Sequence, residues 1–168
     1  MTQLAVTVIG PDRPGIIADV TEVLAQVGVN LEDSTMTLLR GHFAMMIVCS
    51  GPLAPVREAL EPLRGELVIT VREIGPETTH APVGAPYILS VHGADRPGIV
   101  SAVTRMVASV GGTVTDLTTR LSGSLYVLTA EVEIPPTAEL GMLQRALEIT
   151  ADELGVGVTL RPAESDDL

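Results

Sequence analysis

Along the first half of the chain, the spacing of apolar residues changes from that of a strand to that of a helix. Residues 4–9 form a short β-branched run, which predicts a strand. After a turn rich in Gly and Pro, apolar residues recur at helical spacing until Gly28. These apolar residues are Ile16, Ile17, Val20, Val23, Leu24 and Val27. They predict an amphipathic helix with Pro14 at its first position, where a proline loses no hydrogen bond.

The remainder of this half predicts a hairpin, a second helix and a last strand. Residues 29–39 and 42–50 are largely apolar and β-branched, and the tight turn Arg40-Gly41 separates them. Pro52 opens a helix with one apolar face, and residues 67–73 complete the half as a strand. The predicted order of elements is therefore βαββαβ.

The second half repeats the first in register. The segment Asp12-Arg13-Pro14-Gly15-Ile16 returns as Asp95-Arg96-Pro97-Gly98-Ile99, and Asp33 and Leu38 then match Asp116 and Leu121. The same six elements are therefore expected again, with Pro135-Pro136 opening the last helix. The chain is one module used twice.

The repeat sets the expected domain boundaries. The two modules occupy residues 1–74 and 87–162. Residues 75–86 are rich in Pro and Gly and are predicted to be a linker. Residues 163–168 form an acidic tail that we expect to be frayed.

This order of elements predicts an α+β protein with two ferredoxin-like βαββαβ domains. Each domain would have a four-stranded antiparallel sheet with two helices on one face. Because the strands are apolar on both faces, we expect the open face or an edge to pack on something else. The other half or a second chain would cover it, and a homodimer is the expected assembly.

Charge argues against direct binding of nucleic acid. The chain of 168 residues has a formal net charge of −11, contains no lysine, and only 2% of its residues are aromatic. A phosphate backbone requires a basic face, and stacked bases require aromatic platforms, so we expect no direct nucleic acid partner.

Other sequence features indicate a protein of the reducing cytoplasm. The lone Cys49 lies within an apolar run and is expected to be a buried, unpaired thiol. The N-terminal residues show no signal peptide, and no apolar run reaches membrane-spanning length, so no membrane contact is expected.

The repeated loop carries a family resemblance. Asp-Arg-Pro-Gly-Ile between a strand and a helix, followed by Gly28-Val29-Asn30-Leu31 at the next strand, resembles the ACT domain family. That resemblance implies βαββαβ regulatory modules that bind amino acids and other small ligands. Two such modules without a catalytic domain are similar to the glycine cleavage system transcriptional repressor family.

A strand, a Gly-rich loop and a helix start can bind a free amino acid. Backbone N–H groups at Gly15 or Gly98 would receive the carboxylate at the helix N-terminus. Asp12 or Asp95 would accept from the ammonium group, or would alternatively cap the helix. For Arg13 and Arg96 we favour a solvated side chain or a carboxylate partner at an interface. The candidate ligand-binding residues are Asp12, Arg13, Pro14, Gly15, Ile16, Asn30, Asp95, Arg96, Gly98, Ile99 and Thr113.

The two candidate sites are not equivalent. Asn30 offers a donor and an acceptor at the start of the second strand, whereas its counterpart is Thr113. The first half is therefore expected to bind better. Some amino acid-binding members of the family place a His two residues before the acidic residue of the loop, where this chain has Gly10 and Gly93. The neighbouring His92 is expected to lie in the core or an interface.

Catalytic patterns are absent from the sequence. The three histidines show no metal-ligand spacing with Cys49, and neither a nucleophile elbow nor a phosphate loop is present. We therefore expect no enzyme activity, no metal and no cofactor. The preferred hypothesis is an amino acid-sensing regulator that acts through another protein. The alternatives are a regulatory subunit of a separately encoded enzyme and a structural adaptor that binds nothing small.

Overall fold

The computed structural model describes residues 2–76 and 81–164. The chain divides into two compact units, Met1–Thr78 and Thr79–Leu168. Glu77 to His80 of the predicted linker and residues 165–168 of the predicted tail lie outside the described residues.

The first unit has the predicted βαββαβ order. Its elements are β1 (Thr2–Pro11), α1 (Ile16–Gln26), β2 (Leu31–Leu39), β3 (His42–Gly51), α2 (Leu53–Leu60), a 3₁₀ turn (Glu61–Leu63) and β4 (Val68–Glu73). The strands form one antiparallel sheet in the order β2-β3-β1-β4. β1 therefore lies inside the sheet, whereas β2 and β4 form its edges.

The second unit repeats this architecture. Its elements are β5 (Ala85–Ala94), α3 (Ile99–Ser109), β6 (Thr113–Ser122), β7 (Leu125–Ile134), α4 (Leu140–Leu154) and β8 (Val156–Pro162). The sheet order is β6-β7-β5-β8, again antiparallel. The predicted fold class, two ferredoxin-like α+β domains, is confirmed.

Each unit has its own aliphatic core between the sheet and the two helices. In the first unit, every second residue of β1 points toward the helices, so that Leu4, Val6 and Val8 are fully buried. Val20 of α1 and Leu60 of α2 pack against them. The helices thus cover one face of the sheet and leave the other face open.

Two helices begin later than their prolines suggested. The sequence placed Pro14 at the first position of α1, but the helix begins at Ile16, and Gly15 in a left-handed conformation is its N-cap. Likewise, α4 begins only at Leu140, several residues after Pro135-Pro136. In both places the proline lies in the turn that precedes the helix, a position where its fixed φ is equally acceptable.

Part of the segment predicted as linker belongs to the second sheet. β5 begins at Ala85, and the Val83 N–H donates to the Glu133 carboxylate at 2.8 Å. At the other end, the Ala163 N–H donates to the Pro86 carbonyl at 3.0 Å. The second domain therefore begins before the expected residue 87 and ends after the expected residue 162.

His92 does not lie in a core. It is exposed on the open face of the second sheet, and its ring lies over Gly157 of β8. A Cβ on Gly157 would come within 2.6 Å of the ring, so glycine makes this close approach possible. His92 lies on the side of the strand opposite to the buried Val91, and this side faces away from the helices.

No helix within the described ranges is both long and apolar enough to cross a membrane. The longest of them, α4, has 15 residues and contains several charged side chains.

Cys49 is a fully buried free thiol in β3, as predicted. Burial, together with the nearby Glu32 carboxylate, raises the pKa of this thiol. The folded state therefore retains the thiol proton at a pH where the unfolded chain releases it.

Alkaline pH should consequently destabilise the fold through Cys49. The stability that the protonated thiol contributes is complete below the pKa of the unfolded thiol, about 8.5, and is lost as pH rises toward the higher pKa of the folded state. Urea unfolding of the wild type and of Cys49→Ala at pH 7.5 and pH 10 measures this effect. The wild type should lose more stability between the two pH values, and equal losses would contradict the account.

Candidate functional site

The loop between β1 and α1 has the geometry of an anion-binding turn. Gly15 has φ = 89°, and Ile16 begins the right-handed helix directly after it. Where left- and right-handed residues adjoin in this way, successive N–H groups point into a common concavity. Only glycine adopts this φ readily, which explains the repeated Pro-Gly in the sequence.

The first turn of α1 supplies backbone donors beside this loop. The first helical hydrogen bond runs from the Asp19 N–H to the Gly15 carbonyl at 2.9 Å. The N–H groups of residues 16–18 precede this bond and have no acceptor within the helix. Together with the positive end of the helix dipole, they favour a negatively charged ligand group.

A cavity of about 340 Å³ opens at this point. It brings together four of the predicted site residues, Asp12, Arg13, Gly15 and Ile16. Its other lining residues are Ile17, Ala18, Met36 and Phe43. Sequence reasoning missed Met36 and Phe43, although the register of the hairpin across Arg40-Gly41 could have placed both on the helix side of the sheet.

Asp12 is exposed at the rim and does not cap the helix. Its backbone N–H donates to the Gly41 carbonyl at 2.9 Å, which fixes the loop against the β2–β3 turn. Gly15 is the N-cap, and no side chain caps α1. The capping alternative for Asp12 is therefore wrong, and its carboxylate is available at the cavity.

Arg13 is held within its own unit by two carboxylates. Its guanidinium contacts Glu66 at 2.6 Å and Asp19 at 2.8 Å, and it also donates to the Pro14 carbonyl at 3.0 Å. The hydrogen bonds to Glu66 and Asp19 raise the pKa of Arg13 above its usual range. Arg13 thus holds the loop in place. It also neutralises the Asp19 carboxylate, which lies in the first turn of α1 and would otherwise repel a bound anion.

The second loop has the same backbone but different side-chain contacts. Gly98 has φ = 94° and precedes α3, as Gly15 precedes α1. Arg96, however, donates to the Leu154 carbonyl at 2.9 Å, near the C-terminus of α4. Ser101 occupies the position of Ala18, and its hydroxyl donates to the Gly98 carbonyl at 3.1 Å. The two loops are therefore not interchangeable sites.

Asn30 does not lie near the loop of its own unit. It precedes Leu31, which is level with Leu4 at the start of β1, whereas the loop follows Pro11 at the end of β1. Seven residue steps separate these levels, a distance of about 23 Å. Thr113 has the corresponding position in the second unit, at the start of β6. One small ligand cannot contact both the loop and Asn30 of the same unit.

The structure explains why glycine stands where some family members have histidine. A Cβ on Gly10 would lie 2.7 Å from the Leu67 side chain and 3.2 Å from the Glu66 carbonyl oxygen. Gly93 is similarly close to Val156, with a Cβ distance of 2.9 Å. Neither position has room for a side chain that could extend toward a ligand.

Comparison with known proteins agrees with this architecture. The sequence model of the ACT domain matches residues 2–78 and 86–161. A UPF0237 protein from Methanopyrus kandleri is 43% identical over 75 residues, which cover 45% of this chain and 81% of that protein. The glycine cleavage system transcriptional repressor of Escherichia coli (strain K12) is 25% identical over 162 residues, which cover 90% of this chain and 85% of the repressor.

Solved structures share the fold over nearly the whole chain. A protein of unknown function from Galdieria sulphuraria superposes with a TM-score of 0.80 at 28% identity, covering 97% of this chain and 99% of that one. A putative glycine cleavage system transcriptional repressor gives a TM-score of 0.72 at 21% identity, with 98% of both chains covered. With one match in each half, the chain belongs to the ACT domain family and carries two ACT domains in tandem.

Proposed function

We propose that this chain is a regulatory protein that binds a small amino acid at the loop between β1 and α1. The observation that carries this proposal is the 340 Å³ cavity at the start of α1, where free backbone donors and a carboxylate adjoin. The proposed residues of this site are Asp12, Gly15 and Ile16, with Arg13 and Pro14 shaping the loop. In the second unit the corresponding residues are Asp95, Gly98 and Ile99, with Arg96.

The chemistry of the cavity matches the two charged groups of a free amino acid. The N–H groups of residues 15–18 would receive the ligand carboxylate, as helix N-termini commonly bind anions. The Asp12 carboxylate, exposed at the rim, would accept from the ligand ammonium. Met36 and Phe43 form an apolar wall, so we expect a small or apolar ligand side chain.

An uncovered edge strand suggests how Asn30 joins this site. Residues 32–39 of β2 are all exposed, including Met36 and Leu38 on the helix side of the sheet. The opposite edge is protected, because Arg57 of α2 donates to the Val71 carbonyl of β4 at 3.1 Å. Gln144 of α4 donates in the same way to Leu160 of β8. Edge strands without such cover are templates for pairing with another chain.

Pairing through β2 would complete the site with a residue from a second chain. Two β2 edges that pair antiparallel place the start of each strand beside the end of the other. Asn30 of one chain then lies at the loop end of the other chain, where Asp12 and Gly15 are. We therefore infer a homodimer in which Asn30 supplies a donor and an acceptor to the ligand bound by the partner's loop.

Mixing two defective variants tests this exchange of residues. Asp12→Ala and Asn30→Ala chains should each bind the amino acid weakly. After they are mixed in equal amounts and allowed to exchange, about a quarter of the sites should combine an intact loop with an intact Asn30. Calorimetry would report these sites with wild-type affinity. A mixture that binds no better than the separate variants would rule out the shared site.

Arg13 should influence binding through Asp19. In Arg13→Ala, the unpaired Asp19 carboxylate would repel the ligand carboxylate, and affinity should fall about threefold, as expected for an exposed charge interaction. The double variant Arg13→Ala/Asp19→Ala should recover most of this loss, because the second unit naturally has Ala102 in the place of Asp19. Calorimetry on both variants measures the effect. Failure of the double variant to recover would show that Arg13 acts on the ligand in some other way.

The regulated target in this proposal is another protein. The Escherichia coli relative is named a transcriptional repressor, which favours a role in transcription of amino acid metabolism. A net charge of −11 without lysine disfavours direct contact with DNA, so the effect would pass through a partner protein in the cytoplasm. The chain itself would catalyse no reaction and would need no cofactor.

A pull-down experiment distinguishes this role from the two alternatives, a regulatory subunit of an enzyme and a structural adaptor. A pull-down with the full chain, with and without the amino acid, identifies the partner. Recovery of a transcription regulator supports the preferred role, whereas recovery of a metabolic enzyme supports a regulatory subunit. Recovery of the same partner by a chain that binds no amino acid would support a structural adaptor.

A further inference from the structure

The open face of the first sheet has an exposed apolar centre. We define the outer face as Thr7, Ile9, Ala44, Met46, Val68 and Thr70, which lie side by side on β1, β3 and β4. Ile9, Met46 and Val68 are 52%, 46% and 67% exposed. This surface is separate from the cavity at the loop, which lies toward the helix side of the sheet.

Charge favours a second copy of this chain as the occupant of the outer face. All six of its residues are uncharged, although the chain as a whole has a net charge of −11. Two such chains repel each other electrostatically, and they approach with the least repulsion through a neutral surface. Within the strands, Asp33 and Arg72 lie on this side of the sheet in the row next to Thr7, Met46 and Thr70, and they belong to the two edge strands.

The shape of the outer face is complementary to itself. Its residues form two neighbouring rows across the strands, and on β1 and β3 a large side chain in one row adjoins a smaller one in the other. One row contains Thr7, Met46 and Thr70, and the next contains Ile9, Ala44 and Val68. A two-fold axis that crosses the strands between these rows would place Thr7 against Ile9, Met46 against Ala44 and Thr70 against Val68. Facing layers pack well when large residues meet small ones.

A hollow in this face provides space for the partner's methionine. It has a volume of about 260 Å³ and is lined by Ile9, Ala44 and Met46, among others. In the two-fold arrangement, Met46 of each chain enters the hollow above Ala44 of the other. Methionine is flexible enough to fill such a shallow, irregular space.

The second unit lacks this surface and serves as an internal comparison. At the positions that match Ile9, Ala44 and Met46, it has His92, Val127 and Thr129. Arg120 lies in the same row as His92 and Val127, so this face is polar and partly charged. Self-association is therefore expected for the first unit alone.

We propose that the outer face of the first sheet is an interface between two copies of this chain, related by a two-fold axis that crosses the strands. This interface is distinct from pairing through β2. The two-fold axis of β2 pairing is perpendicular to the sheet, so the two interfaces together would close a tetramer where the two axes intersect.

Sedimentation of the full-length chain tests the proposal directly. Met46→Glu buries two like charges beside the axis and should weaken this association by about a hundredfold or more, halving the mass of the assembly. Thr129→Glu, at the matching position of the second unit, should leave the mass unchanged. Both positions are exposed, so that neither variant should lose its fold.

Mixing the Met46→Glu and Met46→Lys variants shows whether a second copy of the chain covers the outer face. Met46→Lys alone should dissociate as Met46→Glu does, whereas an equimolar mixture of the two should recover the wild-type mass, because the two side chains are neighbours across the axis. A wild-type monomer, or variants with the wild-type mass, would overturn the proposal. Dissociated variants that do not recover on mixing would show that the face binds something other than itself. Amino acid binding should be unchanged in all of these variants, which separates this test from that of the ligand site.

Discussion

Replacing Asp12 with alanine is expected to weaken amino acid binding by about ten- to a hundredfold. In the proposed complex the Asp12 carboxylate is the acceptor for the ligand ammonium, and a hydrogen bond to a charged group contributes about 1.5–3 kcal/mol. The side chain is exposed and caps no helix, so its removal should leave the fold intact. Calorimetry with the wild type and the variant measures the difference.

The second loop provides the matched control for this substitution. Asp95→Ala removes the corresponding carboxylate in the second loop. The side-chain contacts of Arg96 and Ser101 in that loop differ from those of Arg13 and Ala18 in the first. If the first unit is the better site, Asp95→Ala should leave the tighter binding event unchanged. Equal losses for the two variants would contradict the asymmetry, and unchanged binding in Asp12→Ala would remove Asp12 from the site.

Gly15→Ala should destabilise the first unit by about 1–2 kcal/mol. Gly15 has φ = 89°, and a residue with a Cβ pays roughly this cost in the left-handed region. A Cβ would have its nearest neighbour at 3.6 Å, so steric overlap adds little to the backbone strain. The same substitution should also weaken ligand binding, because relief of the strain would turn the N–H groups away from their common concavity.

Gly65→Ala is a suitable control, since Gly65 is not left-handed and a Cβ there would have no neighbour within 4 Å. This change should be neutral, or stabilise the unit by restricting the unfolded chain. Urea unfolding of the three proteins measures the differences. If Gly15→Ala proved as stable as Gly65→Ala, the left-handed N-cap would not be a requirement of the fold.

The fold could be predicted because its signals are local. The helical stripe from Ile16 to Val27 and the β-branched strands around it fix the order of elements, and the repeat confirms each assignment a second time. The start of α1 was placed too early because Pro14 is as compatible with the preceding turn as with the first helical position. Such boundaries depend on a single φ value, which composition does not determine.

The candidate site was predictable only in part. The loop itself follows from the motif, but the partners of Arg13 do not, because Glu66 lies 53 residues away and meets Arg13 only in the folded unit. Asn30 was grouped with the loop by family resemblance. Strand register places it at the other end of the sheet, and this register is a tertiary property that depends on the pairing of three strands.

The binding site itself can be located by following the backbone amide signals of the full-length protein during titration with each of the twenty common amino acids. A small or apolar amino acid should shift the amide signals of the loop and helix start, residues 12–18, most strongly and in a saturable manner, because the N–H groups of residues 15–18 bind its carboxylate. Saturable shifts centred on a different part of the chain, or no shift with any amino acid, would contradict this prediction.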